Sequence, residues 1–308
     1  MPAVSVIIPN CNHGKYLKQR IDSVLEQSYT DIEVIILDDN STDNSKAVIE
    51  GYRNEKRITQ IVFNTENSGN PFNQWNKGIE IAQGKYIWIA ESDDWCEPVF
   101  LETIMSGLEN NKEAVIGYCQ SYSVSDNGRI SFQSNHARLK EYIDGKKFIS
   151  EYIIPRNPIF NASMAVWKKE VYKRISKDFI DYKRIGDYLF WIELSNWGQV
   201  FISGKLLNYF RKHDNNVSGH AFKNGLSFID QIPLYKKLLD RKLINLTDHH
   251  HAMKKLYLDF RLSKKNIPAE TNTAITKLFA KFGGPVTSLK LYFYMKQLQL
   301  LSKKVLRA

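Results

Sequence analysis

Two stretches, Val34-Ile35-Ile36-Leu37-Asp38-Asp39 and Tyr86-Ile87-Trp88-Ile89-Ala90-Glu91-Ser92-Asp93-Asp94, decide the fold. Each joins a short apolar run to a cluster of carboxylates. Runs of this length, apolar throughout rather than alternating, read as strands buried on both faces, as in a parallel sheet. The carboxyl ends of such strands gather along one edge, where ligands bind near the point at which strand order reverses. Carboxylates crowded there repel one another at neutral pH unless a cation is present or some keep their protons. A divalent metal held with a phosphorylated ligand would relieve that repulsion.

Working outward, strand and helix patterns alternate over the first 120 residues. Val4-Ser5-Val6-Ile7-Ile8 reads as a strand stopped by Pro9, and Leu17, Ile21, Val24 and Leu25 give residues 15–28 helical spacing. Ser41-Thr42-Asp43 suits a helix start. Strand 58–63, helix 73–83 with Gly84 as its C-cap, strand 86–90, helix 98–110 and strand 114–119 complete the series. Repeated βαβ units predict an α/β fold: a mostly parallel sheet with helices on both faces. Asp126-Asn127-Gly128 signals a hairpin. Residues 187–197 read as a helix and 199–202 as a short strand. From about 225 the pattern is helical and basic. The expected division is a sheet domain over 1–215 and a helical extension over 216–308.

The 308 residues are 43% hydrophobic and 25% charged, which excludes wholesale disorder. No window approaches 18 uninterrupted apolar residues, so no membrane-spanning helix is expected. Met1-Pro2-Ala3-Val4-Ser5 lacks the basic and apolar regions of a signal peptide. Cys11, Cys96 and Cys119 are odd in number and widely spaced, which fits reduced thiols in a cytoplasmic protein.

The net charge of +10 is uneven. After Glu270 come seven basic residues, Lys277, Lys281, Lys290, Lys296, Lys303, Lys304 and Arg307, and no acidic one. Such a tail suits an anionic surface. Leu291, Tyr294, Met295, Leu298, Leu301 and Val305 share one face of a helical wheel, with Lys296, Lys303 and Arg307 opposite. That is the pattern of an interfacial membrane helix, and equally of a helix packed on its own domain. Nucleic acid is not expected as a partner, because the sheet region lacks interleaved basic and aromatic residues.

No G-x-G-x-x-G follows the first strand and no G-x-x-x-x-G-K-[ST] occurs, which disfavours dinucleotide oxidoreductases and P-loop enzymes. A nucleotide would then be held by the acidic clusters. Asp39 can accept a hydrogen bond from a base or ribose. Strand alternation puts Glu91 and Asp93 on one face and Asp94 on the other. Among the tryptophans, Trp95 and Trp191 adjoin acidic positions and are candidates for stacking on a sugar. His249-His250-His251 reads as solvated surface.

An ordered set of motifs carries a family resemblance. It comprises Val-Ser-Val-Ile-Ile-Pro-x-x-Asn (4–12), Leu-Asp-Asp-Asn-Ser-Thr-Asp (37–43), Asn-Ser-Gly (67–69), Asn-x-Gly-Ile (76–79), Ala-Gln-Gly-Lys-Tyr-Ile (82–87) and Glu-Ser-Asp-Asp (91–94). Arg184-Ile185-Gly186-Asp187, Tyr209-Phe210-Arg211-Lys212-His213 and Asn216-Val217-Ser218 continue it. The set resembles family 2 of the inverting glycosyltransferases, with the GT-A nucleotide-sugar fold, over about residues 3–220. The resemblance implies that Pro9, Asn10, Asp39, Asn67, Asn76 and Asp93 bind the donor. It makes Asp93 and Asp94 DXD-type aspartates at Mn²⁺ or Mg²⁺, with His213 a further metal contact, and Asp187 the general base. It further implies a nucleoside-diphosphate sugar donor, a UDP-sugar first among them, and a glycan or lipid-linked acceptor met at the cytoplasmic face of a membrane. Two positions depart from the family pattern. Gln74-Trp75 stands where Ala-Arg is common, and Glu91 where Asp is usual. They keep open the alternative of a nucleotide-binding scaffold with the same fold and no transfer activity.

Overall fold

Val4–Asn10 (β1) and Ile32–Asp38 (β2) pair in parallel with every residue buried, their apolar cores interrupted by Ser5 and Glu33, which bond each other. The structure, a computed structural model, describes residues 1–213 and 224–305. Ile58–Phe63 (β3) adds in parallel outside β2, and Tyr86–Ile89 (β4) lies in parallel on the other side of β1. The helices Gly14–Leu25 (α1), Ser45–Glu50 (α2) and Pro71–Ile81 (α3) make the crossovers. Strand order therefore reverses between β1 and β4. Pro9 sits inside β1 rather than ending it. Pairing with β4 stops at Ile7, so the missing N–H costs no ladder bond there.

Beyond β4 the sheet is mixed rather than mostly parallel. Trp95–Cys96 (β5) is followed by the helix Phe100–Asn110 (α4) and strands Ala114–Ser125 (β6), Ile130–Gln133 (β7), Lys140–Asp144 (β8), Ala165–Lys168 (β9) and Gln199–Lys212 (β10). β9 is wedged antiparallel between β4 and β6, and β10 runs parallel to β6. Among the described residues the sheet has ten strands, in the order β3-β2-β1-β4-β9-β6-β10-β5, with β7 on β6 and β8 on β10. The β6–β7 hairpin turns at the expected site, where Gly128 takes φ 79°. Trp88, Trp167, Trp191, Phe100 and Phe190 fill the core.

The chain divides into two compact units, Met1–Phe148 with Pro158–Asp214, and Ile149–Asn157 with Asn215–Ala308. The first holds the sheet. The second draws in a short internal segment that its expected boundaries left with the sheet. Its helices are Leu226–Asp240, Leu246–Ser263, Ala269–Phe282 and Val286–Val305. They pack around Phe228, Tyr235, Met253, Phe260, Ile275 and Phe279. Asn245 and Asp248 form a reciprocal capping box at the start of Leu246–Ser263. His249, read as surface, is in fact buried, while His250 and His251 are exposed. No helix among the described residues is long and apolar enough to cross a membrane. The Asn216-Val217-Ser218 motif and the side chains of Leu301 and Val305 lie outside the described residues.

Candidate active site

The carboxyl ends of β1, β2 and β4 bring Asn10–His13, Asp38–Asp39 and Glu91–Asp94 to one edge, at the reversal of strand order. Direct contacts join them. The Asn10 amide donates to Asp38 Oδ1 (2.7 Å), and the Asp39 N–H donates to the Asn10 carbonyl (2.8 Å). His13, just before α1, meets the other cluster: its Nδ1 lies 2.9 Å from Ser92 Oγ.

The two departures from the family pattern tie both clusters to α3. Gln74 Nε2 donates to Asp39 Oδ1 (2.9 Å), and Trp75 Nε1 donates to Glu91 Oε1 (2.9 Å). The Asp39 carboxylate also accepts from Asn64 Nδ2, the Ser68 N–H and Ser68 Oγ, at 2.7–2.9 Å. Three donors fall on Oδ1 and one on Oδ2, so Asp39 organises the 64–74 segment while Oδ2 keeps acceptor capacity. Asn67 joins that loop: its amide donates to the Asp39 carbonyl (3.0 Å) and its Oδ1 accepts from Gly69 N–H (2.7 Å). Asn76 turns elsewhere on α3, donating to Glu80 Oε1 (2.9 Å) and accepting from the Tyr172 hydroxyl. Pro9 and Asn10 lie at the end of β1, with Asn10 buried.

Asp93 and Asp94 diverge, but not by strand alternation. β4 ends at Ile89, and residues 91–94 form a turn closed by Asp94 N–H on the Glu91 carbonyl (3.2 Å). Asp94 points inward. Its Oδ2 accepts from Asn161 Nδ2 (2.5 Å) and Ser163 Oγ (2.7 Å), and its Oδ1 from the Arg211 N–H (2.9 Å). Fully buried Arg20 lies 3.9 Å away. The carboxylate thus accepts three protein hydrogen bonds, two on Oδ2 and one on Oδ1. Any metal role of Asp94 would have to coexist with these bonds, and the cluster of possible ligand atoms gathers on Asp93 instead.

Asp93 points outward, where Oδ2 lies 3.1 Å from His213 Nε2. One ligand atom each from His13, Asp93 and His213 lie within 4.8 Å of one another. Burial would raise Asp93, but the His213 hydrogen bond and the two nearby imidazoles outweigh it and hold its pKa below the ordinary value. Asp93 in turn raises His213, whereas burial lowers His13. His13 was missed in the motif reading. The available signal was an imidazole directly beyond β1, at the edge where the acidic clusters converge.

Glu91 shows how the site tolerates so many carboxyl groups. Burial, then Asp93 and Asp94, push it up to about 8. Burial and Asp93 push Asp94 up to about 7 against the opposing pull of Arg20. Glu91 thus holds a proton in the folded protein that the unfolded chain gives up above about pH 4.3, so its contribution to stability falls as pH rises from there toward 8. Glu91→Gln keeps an acceptor for Trp75 and removes that slope. Thermal melts are expected to show the variant more stable than wild type near pH 8 and closer to it at acidic pH. Parallel pH dependences in the two proteins would show Glu91 ionised in the fold.

Asp187 lies in the first turn of Gly186–Ser195. The backbone leaves no room at its neighbour: a Cβ on Gly186 would come 2.3 Å from the Phe179 carbonyl and 2.6 Å from the Phe72 ring of α3. Phe190, one turn on, meets Trp75 edge to face at 5.7 Å. α3 therefore touches both acidic clusters and the Asp187 helix. Burial raises Asp187 to about 6, against the Tyr188 N–H, which favours the charged form. Of the two candidate stacking rings, Trp191 is fully buried and Trp95 is stacked on Tyr209 with Arg211 over it.

The mixed α/β sheet, with acidic clusters at the reversal of strand order, defines a GT-A fold. The model of Glycosyl transferase family 2 matches residues 5–176, and the chain belongs to that family of glycosyltransferases. It is 32% identical to the poly(ribitol-phosphate) beta-N-acetylglucosaminyltransferase TarP of Staphylococcus aureus, over 73% of this chain and 67% of TarP. Identity to the glycosyltransferase GlyG of Streptococcus pneumoniae serotype 4 is 32% over 54% of this chain, and the match spans about half of GlyG (51%). In structure it is similar to S. aureus TarS 1–349 in complex with UDP-GlcNAc, with a TM-score of 0.71 at 21% identity, covering 91% of this chain and 80% of that one.

Proposed function

We propose that this protein is an inverting glycosyltransferase that moves a sugar from a nucleoside-diphosphate sugar to a hydroxyl of a glycan or lipid-linked acceptor, assisted by a divalent metal. The observation that carries the reading is the His13–Asp93–His213 cluster at the sheet edge. One carboxylate and two imidazoles suit Mn²⁺ better than the harder Mg²⁺, which prefers oxygen ligands alone. With Ser92 Oγ at His13 Nδ1, Nε2 would be the nitrogen left for an ion. A bound ion would offset the charge that builds on the departing diphosphate. TarP is named as an N-acetylglucosaminyltransferase and the TarS structure holds UDP-GlcNAc, which supports a UDP-sugar as donor here.

This chain's own residues then have distinct tasks. His13, Asp93 and His213 would hold the ion. Asp39, through Asn64, Ser68 and Gln74, fixes the loop beside it. Asp187 accepts the proton of the acceptor hydroxyl as that oxygen attacks the anomeric carbon opposite the leaving diphosphate. One displacement inverts the configuration and needs no covalent intermediate.

Calorimetry tests the metal end. UDP is expected to bind more tightly with Mn²⁺ than without. His213→Ala is expected to remove that gain and His13→Ala to weaken it, by on the order of tenfold for each lost ligand interaction. Metal-independent UDP binding, equal in all three proteins, would refute the assignment.

A further inference from the structure

The helix Val286–Val305 has two apolar faces with different environments. Leu289 and Phe293 are buried, and the Arg261 guanidinium of Leu246–Ser263 lies 4.6 Å from the centre of the Phe293 ring. At 100° per residue, Leu291, Tyr294, Met295 and Leu298 fall on the opposite side. These four are 62, 55, 53 and 66% exposed. Their i, i+3, i+4, i+7 spacing makes a continuous stripe about two turns long. This answers what the helical wheel left open: the stripe does not pack on its own unit among the described residues.

Charge decides between two occupants. Residues 246–308 include twelve Lys or Arg and three Asp or Glu, so this segment carries +9 of the chain's +10. Lys290, beside the stripe, is exposed. A second copy meeting the stripe symmetrically would bring two segments of +9 close together, and like charge opposes that. An anionic bilayer complements both features, because its headgroups attract lysines while its acyl boundary takes up apolar side chains. We propose that this helix docks the protein on an anionic lipid surface, lying in the interface with Leu291, Tyr294, Met295 and Leu298 turned into it. The contact is peripheral and does not depend on the transfer reaction proposed above.

Co-sedimentation of the full chain with vesicles tests this, using phosphatidylcholine alone and mixed with phosphatidylglycerol. Binding is expected to rise on the order of tenfold with the anionic lipid and to fall as salt is added. Leu291→Glu/Leu298→Glu is expected to abolish it while UDP binding and solution mass stay unchanged. The milder Leu298→Gln, with its circular dichroism unaltered, is expected to reduce it. No preference for anionic vesicles, or undiminished binding by both variants, would overturn the proposal. So would a wild-type dimer that the double variant converts to monomer, which would give the stripe to a second copy.

Discussion

Replacing Asp187 with Asn is expected to leave UDP affinity intact and to cut turnover by about 10²–10⁴-fold, the scale of a lost general base. The substitution is nearly isosteric, and Asn can keep the polar contacts of a first helical turn while having no basic lone pair of comparable strength. The environment makes Asp187 suited to the task. Burial raises it to about 6, so at pH 7 it is mostly ionised yet a stronger base than a surface carboxylate. The wild-type rate, followed as diphosphate release, is therefore expected to climb with pH and level off above about 6, since only the ionised form can accept the proton. In Asp187→Asn that limb should vanish from the residual rate. Undiminished turnover, or an unchanged acid limb, would remove Asp187 from the mechanism.

The features legible in the sequence were those set by local pattern. β1, β2 and β4 are mainly apolar runs followed by polar or acidic residues, and that pattern placed the acidic clusters on one edge, whereas β3 exposes Thr59 and Gln60. The antiparallel half was not legible. β9 is four residues long, with no flanking helix pattern to signal a crossover. β10 was read only to 202 because Ser203-Gly204-Lys205 breaks the apolar run, although pairing with β6 carries it to Lys212.

In the site, the roles of single carboxylates depended on partners far along the chain. Nothing around Asp39 announces that Asn64, Ser68 and Gln74 will converge on it. The departures at Gln74 and Trp75 looked like losses in sequence, yet each supplies a hydrogen bond to one acidic cluster. His13 belongs with Asp93 and His213 for the same long-range reason: α1 starts where β4 ends.

Asp94 gives the sharpest contrast between the motif and the packing. A metal ligand can be removed from a folded protein at small cost in stability, whereas a buried partner of a buried cation cannot. Asp94→Ala would leave the Arg20 guanidinium buried with the Glu91 carbonyl and Cys96 Sγ as its remaining polar neighbours. It would also strip an acceptor from Asn161, Ser163 and the Arg211 N–H. Stripping the acceptor from these three buried donors, together with the carboxyl beside buried Arg20, costs about 3–5 kcal/mol, which for a domain of this size lowers Tm by roughly 10 °C. Asp94→Asn keeps a carbonyl acceptor and is expected to lose less. His213, half-buried at the rim, is expected to cost little stability as His213→Ala while losing the Mn²⁺ gain in UDP affinity. Melting curves and UDP calorimetry on the pair decide the matter. An Asp94→Ala protein that melts like wild type but no longer responds to Mn²⁺ would return the aspartate to the metal, and the inward hydrogen bonds would then not be what anchors it.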